Sequence, residues 1–368
     1  MRRTFRYRLL PTRQQTRALL QMLDTHRQLY NRALHERKTA WEQERRSVHY
    51  EDQSAHLKLD RATNPHLAVT NFSSCQATLR RLKRAFENFF RRVKEGAEPG
   101  YPRFKGRDRF DTVEFPKYGD GCKISADRVY FQHIGNVRMR LHRPLEGAIK
   151  TLSFSRRGDD WYLIASCDLS DPAPEPHAGP AVGIDLGLLQ FATLSTGEQV
   201  ANPRFFRRDE QDLARAHRRV SRHAKGSVER ERYKRALRKL YDRISNRRRD
   251  FAHKLSRSLA RRFSLLVFED LNIVRMVKHP TLAKSIADAA WSQLIGFTTY
   301  KVAETGSRVV QIDPAGTSQR CSVCGEIVKK DLAVRVHACP HCGLTIDRDL
   351  NAAVNILGVG LHTLGLSS

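Results

Sequence analysis

The chain has 368 residues, enough for two or three domains with sizeable cores. Lysine and arginine outnumber acidic residues 66 to 39, a net charge of +27 that points to a polyanionic partner and, by default, to nucleic acid. No stretch approaches the roughly eighteen continuous apolar residues of a membrane span, and no apolar segment follows the basic amino terminus, so a soluble protein of the cell interior is expected.

Residues 2–10 alternate, with Phe5, Tyr7 and Leu9 on one face and Arg6 and Arg8 on the other, which predicts a strand ended by Pro11. Thr12 and Gln15 form a capping box for a helix that runs to about Trp41. The polar stretch 47–65 reads as loop with some helix. Ser74 then opens a helix whose stripe of Leu79, Leu82, Phe86, Phe89, Phe90 and Val93 reads as core. Its other side carries Arg80, Arg81, Lys83, Arg84, Arg91 and Arg92, a candidate phosphate-binding face. Gly96, Pro99 and Gly100 close this helical region, which spans 11–97. In Tyr101-Pro102-Arg103-Phe104-Lys105, aromatics interleaved with bases suit stacking on nucleobases, and equally a loop that anchors on its own rings. Short β-type runs separated by turn residues fill 98–172 and predict a small antiparallel barrel closed by the first strand, 1–10. The proline-rich stretch 173–180 reads as a linker.

The second half opens with Ala181-Val182-Gly183-Ile184-Asp185, an apolar strand that delivers Asp185 at its end, flanked by Gly183 and Gly187, which let other groups approach closely. Phe191–Leu194 and Glu198–Ala201 read as the next antiparallel strands. Residues 207–262 read as long basic helices with 21 Lys/Arg against 7 Asp/Glu, a net of 21 − 7 = +14. Their densest part holds Arg247, Arg248, Arg249 and Lys254, and favours phosphate binding over a merely solvated face. Leu265–Phe268 is a second apolar strand ending in Glu269-Asp270. A helix from about Ile286 to Glu304 stops at Gly306, and Arg308–Ile312 is a further strand. The whole reads as multidomain α+β, with a mixed α/β domain over 181–316 and 346–368.

Cys321, Cys324, Cys339 and Cys342 form a CxxC…CxxC set, the spacing of one structural Zn²⁺, inserted at 317–345. Two disulfides are the alternative, disfavoured because nothing else suggests an oxidising compartment. Cys75, Cys122 and Cys167 are scattered and expected to be buried and inert. Just past the cysteines stand Asp347 and Asp349, and a lone Asp at a helix start is ordinarily a cap. Asp185, Glu269 and Asp349, spaced about 80 residues apart, each occupy a strand end or helix start, which converges them on one sheet edge. Three oxygen ligands without histidine suit Mg²⁺ or Mn²⁺. Two such ions would activate water and stabilise a leaving 3′ oxygen in phosphodiester hydrolysis, and without them the carboxylates would repel.

The chain resembles TnpB, the RNA-guided nuclease of insertion sequences related to compact type V CRISPR effectors. The resemblance rests on Y-R-L-L-P-T at 7–12, F-E-N-F-F-R-R-V-K at 86–94, G-Y-P-R-F-K at 100–105 and G-I-D-L-G at 183–187. It continues with N-R-R-R-D-F-A-H-K-L at 246–255, F-E-D-L at 268–271, S-Q-R-C-S-V-C-G at 318–325 and D-R-D-L-N-A-A-V-N-I at 347–356. It implies an RNase H-like (RuvC) nuclease with an inserted zinc ribbon, a β-barrel wedge domain and a helical recognition lobe. It implies cleavage of double-stranded DNA beside a short adjacent motif, guided by an RNA from the transposon end, one protein per RNA, in the prokaryotic cytoplasm at the nucleoid. By the resemblance Asp185, Glu269 and Asp349 are catalytic, with Asp349 preferred to Asp347 because the family aspartate stands two residues before the asparagine. Arg348 is then a neighbour of the phosphate or metal. One departure is that the sequence continues only about a dozen residues past Asn355, without the polar tail of many relatives; catalysis is expected not to need it. A guide-dependent DNA-binding regulator would have lost acidic ligands, whereas all three are present; a transposase or accessory that joins DNA ends also uses three carboxylates.

Overall fold

The computed structural model describes residues 2–169, 177–331 and 334–366; residues 173–176 of the expected linker lie outside them. The chain divides into two compact units, Met1–Asp171 and Pro172–Ser368. Among the described residues no helix is long and apolar enough to cross a membrane.

In the first unit β1 (Arg2–Leu10) buries Phe5, Tyr7 and Leu9, as its alternation requires. The reciprocal bonds of Thr12 and Gln15 open α1 (Arg13–Glu44). The polar stretch expected to be mostly loop is instead α2 (Tyr50–Thr63). Asp52 accepts from the His49 N–H at 2.8 Å, Leu57 is wholly buried, and the Gln53 amide donates to the Ala33 carbonyl at 2.8 Å. So few residues face the core that no apolar stripe marks the helix. After α3 (Pro65–Ala68), α4 (Phe72–Lys94) starts two residues before Ser74, because Asn71 is the cap and accepts from the Ser74 N–H at 2.8 Å.

Six further strands follow: β2 (Thr112–Phe115), β3 (Cys122–Ser125), β4 (Arg128–Phe131), β5 (Gly135–Arg140), β6 (Ala148–Arg157) and β7 (Asp160–Asp168). They pair antiparallel in one seven-stranded sheet, in the order β2-β6-β7-β1-β5-β4-β3. β1 sits at its centre, joining Phe5 to Ala165 on one side and Leu9 to Met139 on the other. β2 and β4 are five positions apart in that order, roughly 24 Å in a flat sheet. Yet the Phe115 and Phe131 rings are 5.4 Å apart, and Phe154 is 5.4 Å from Phe131. The sheet therefore curls over an aromatic core. Cys75, Cys122 and Cys167 are buried, and burial pushes the Cys122 thiol up to about 12.

The second unit opens with β8 (Ala181–Leu186), β9 (Gln190–Leu194) and β10 (Gln199–Ala201), followed by the basic helices α5 (Phe205–Ser221) and α6 (Val228–Arg262). Then come β11 (Leu265–Glu269), α7 (Ile273–Met276), α8 (Ala283–Ala289), α9 (Trp291–Glu304) and β12 (Arg308–Ile312). A short hairpin, β13 (Val336–Ala338) and β14 (Thr345–Asp347), leads into α10 (Arg348–Thr363). The main sheet has the order β10-β9-β8-β11-β12, antiparallel up to β8 and parallel beyond it. β11 is buried on both faces, which is why it reads as an unbroken apolar run. A Cβ on Gly183 would lie 2.1 Å from the Ala353 carbonyl, so only glycine lets α10 cross β8 this closely.

The single helix expected from Ile286 to Glu304 is broken at Ala290, whose φ is +54°. Neither proline nor glycine marks the break. It follows from neighbours: the Asp288 carboxylate accepts from the Phe206 N–H at 2.9 Å and pairs with Arg248 at 3.4 Å, while Trp291 is buried. Gly306, with φ +71°, follows the cap residue Thr305 as expected.

Candidate active site

β8 and β11 are adjacent and parallel, with Ile184 opposite Phe268, so the next residues, Asp185 and Glu269, lie side by side where the strands end. α10, crossing β8 at Gly183, carries Asp349 in its first turn. Glu269 and Asp349 both act on Asp185. Asp185 is pushed up to about 8, first by burial and then by the charges of Glu269 and Asp349. Burial also raises Glu269 and Asp349. Three acids placed so that one holds its proton near neutrality describe a site short of positive charge, which a divalent cation would supply. The residues fit Mg²⁺ or Mn²⁺ ligation: oxygen donors only, on rigid elements.

Asp347 and Asp349 have separate tasks. Asp347 caps α10, its Oδ1 accepting from the N–H groups of Asp349 and Leu350 at 2.9 and 3.0 Å. The Asp349 carboxylate instead takes Arg335 as its partner, and its charge raises Asp185. Arg348 is buried and donates to the carbonyls of Asp331 and Val334 at 3.0 and 3.3 Å, so its hydrogen bonds hold the cysteine-bearing insertion while its charge lowers Asp185. Two participants escaped the sequence reading. Arg335 donates to Asp349, and the Thr317 hydroxyl donates to Glu269 Oε1 at 2.5 Å. A lone arginine in a basic chain carries no signal. Thr317 stands four residues before Cys321 with nothing to mark its reach.

The four cysteine sulfurs lie within 4.8 Å of one another. Cys321 and Cys342 are 3.6 Å apart and Cys324 and Cys339 3.5 Å, with all four thiols free. A disulfide needs about 2.05 Å. Tetrahedral zinc with Zn–S near 2.3 Å sets sulfurs about 3.8 Å apart, so the cluster fits a zinc ion and not two disulfides. The backbone N–H of Cys324 is the largest of the causes that lower the Cys321 thiol, while Cys324 and Cys342 beside it are raised, so the clustered thiols titrate as one set and share a single deprotonation first.

A family model described as "Probable transposase" matches residues 165–279, and one described as "Cas12f1-like, TNB domain" matches 291–356. A Streptomyces pristinaespiralis protein named as an RNA-guided DNA endonuclease is 39% identical over 370 residues, covering 98% of this chain and 90% of its own length. A TnpB-like protein of Methanocaldococcus jannaschii is 35% identical over 132 residues, covering 35% of this chain and 30% of its own. The chain belongs to the TnpB family. Among solved structures, the mini-RNA-guided endonuclease CRISPR-Cas phi3 matches with a TM-score of 0.51 over 98% of this chain and 92% of that one, at 9% identity, a likeness of fold alone.

The basic side chains proposed for nucleic acid in this TnpB family member are partly committed within the fold. Arg80 donates to the Tyr50 hydroxyl at 3.0 Å, and Arg84 faces Glu114 at 3.9 Å. Lys105 is pinned to Asn31 through its backbone, at 2.7 and 3.0 Å. Arg247 pairs with Asp209 at 3.2 Å, Arg248 holds Asp288 and the Ala287 carbonyl, Lys254 pairs with Asp250 at 2.8 Å, and Arg249 is half-buried. Tyr101 packs edge-on against Phe86 and Phe89 at 5.6 and 5.3 Å, which is the loop-anchoring reading, while Arg103 and Phe104 are exposed. The stripe of α4 expected to be core is so only in its first half. Leu79 and Leu82 are buried, but Phe90 and Val93 are 62% and 51% exposed. The buried residues of α4 all fall between Ser74 and Leu82; beyond them Phe86 is half-buried against the core and meets Tyr101 together with Phe89, while Phe90 and Val93 stay exposed.

Proposed function

We propose that the protein is an RNA-guided DNA endonuclease of a transposable element, and that Asp185, Glu269 and Asp349 hold the cations for phosphodiester hydrolysis. The observation that carries this reading is the convergence of three carboxylates from β8, β11 and α10, with Asp185 raised to about 8 by burial and by its two neighbours. Two Mg²⁺ or Mn²⁺ ions bound there would supply an activated water and stabilisation of the leaving 3′ oxygen. Asp185 and Glu269 present their oxygens from adjacent strand ends. Asp349 presents its own from the first turn of α10, and Arg335 balances part of the acidic charge.

The sheet order β10-β9-β8-β11-β12 supports an RNase H-like (RuvC) domain over 181–316 and 346–368, interrupted by a zinc ribbon at 317–345. In this reading the curled sheet of the first unit is the wedge and α1 to α4 are the recognition lobe. The partners are a guide RNA and double-stranded target DNA. The net charge of +27 suits sequence-independent backbone contacts, and exposed pairs such as Lys254–Asp250 hold little energy that a phosphate could not replace. Sequence choice then falls to base pairing with the RNA, leaving the protein a short adjacent motif to read. The test is cleavage of two plasmids that differ only in the guide-matched sequence, with protein carrying either matched RNA. The cut is expected to follow the RNA; equal cutting of both plasmids by RNA-free protein overturns the reading.

A further inference from the structure

We infer that the segment Thr317–Ser322 is a strap that sets the position of Glu269 from the cysteine cluster, with Thr317 as the positioning residue. The inference rests on the nuclease reading of the carboxylates. Thr317 is 7% exposed, and its hydroxyl has one proton for two acceptors, Glu269 Oε1 at 2.5 Å and the Pro314 carbonyl at 3.0 Å. The nearer, charged acceptor takes it. That bond fixes one carboxylate oxygen of Glu269 and leaves its second oxygen open to a cation.

The strap is itself held by α10. Asn355 donates through Nδ2 to the Thr317 carbonyl at 2.8 Å and to the Arg320 carbonyl at 2.7 Å. One turn earlier Asn351, wholly buried, donates to the same Arg320 carbonyl at 2.8 Å and accepts from the Ser322 N–H at 3.0 Å. Asn351 and Asn355 stand one helical turn apart on one face, two and six residues after Asp349. Glu269 through Thr317, and Asp349 through α10, are thus referenced to the same six-residue segment, which also carries Cys321. An amide spends both ends on the strap at Asn351, which an ordinary helix face would leave to solvent.

The test uses the purified full-length chain and Mn²⁺ alone as the probe, its binding followed by electron paramagnetic resonance, with Asp185→Ala as background. Thr317→Val is expected to weaken Mn²⁺ binding about tenfold, the scale of a lost partner to a metal ligand. Thr317→Ser keeps the hydroxyl and is expected to stay within about twofold of wild type, and both variants are expected to keep their zinc. Asn355→Ala is expected to weaken Mn²⁺ as well, and to add little to Thr317→Val because both act through one strap. Wild-type affinity in Thr317→Val, or a loss in Thr317→Ser as large as in Thr317→Val, overturns the role of Thr317 alone. Wild-type protein that binds no Mn²⁺ above the Asp185→Ala background overturns the strap and the metal-site reading together.

Discussion

Arg335 donates through Nη2 to the carboxylate of Asp349, so the insertion that carries the cysteines reaches the acidic cluster with a positive charge. Arg335 precedes β13, whose partner β14 runs directly into α10, and the short hairpin fixes where the guanidinium lies. A charge-assisted bond of this kind contributes about 1.5–3 kcal/mol. Arg335→Ala is expected to slow single-turnover cleavage by about 10- to 100-fold while target binding is unchanged. Arg335→Lys, which keeps the charge without the fork, is expected to recover part of the rate. Equal rates in Arg335→Ala and wild type would show that the pair only supports the fold.

In the proposed reading the three carboxylates serve the reacting phosphate and not the duplex. Asp185→Ala, Glu269→Ala and Asp349→Ala are each expected to abolish Mg²⁺-dependent cleavage, with target binding retained in a gel-shift assay. Asp347→Ala removes a cap instead, so it is expected to cost about 1 kcal/mol of stability and leave measurable cleavage. The opposite ranking of Asp347→Ala and Asp349→Ala would reverse the assignment.

Removing one thiol from the cysteine cluster leaves three ligands and little apolar core around them. Cys321→Ser and Cys339→Ser are each expected to lose the zinc ion and to loosen 317–345, read by metal analysis and by limited proteolysis. Wild-type protein that carries no zinc after purification would refute this.

His26, in the first unit, offers a separate pH test. It is wholly buried between α1 and α4, its Nδ1–H donating to the Met22 carbonyl at 2.8 Å and its Nε2 lying 2.8 Å from the Ser74 hydroxyl. Burial lowers its pKa from 6.5 to about 4. A depressed folded pKa means stability present in full above pH 6.5 and lost as pH falls through about 4. The loss at the acid end is roughly 3 kcal/mol, from about 1.36 kcal/mol per unit. Melting temperature between pH 7 and pH 4 is expected to fall more steeply for wild type than for His26→Gln. Parallel profiles would remove His26 as the cause.

Sequence alone determined what is written in local spacing. The alternation of β1, the Thr12–Gln15 box, the stop at Gly306 and the paired CxxC motifs need only near neighbours along the chain. Gly183 next to an apolar strand end already marked a close approach, and Asp185 and Glu269 were legible as strand-end acids. Tertiary structure decided what depends on a distant element arriving. It curled the seven-stranded sheet until Phe115 met Phe131, broke the helix at Ala290, and folded the polar α2 onto α1 through Gln53 and Leu57. It left Phe90 and Val93 uncovered on a stripe that periodicity alone assigns to a core. It also separated Asp347, a cap, from Asp349, whose carboxylate pairs with Arg335, and brought Arg335 and Thr317 to carboxylates 14 and 48 residues away. Periodicity records which way a side chain points from its own element; whether anything stands there to meet it is settled only by packing.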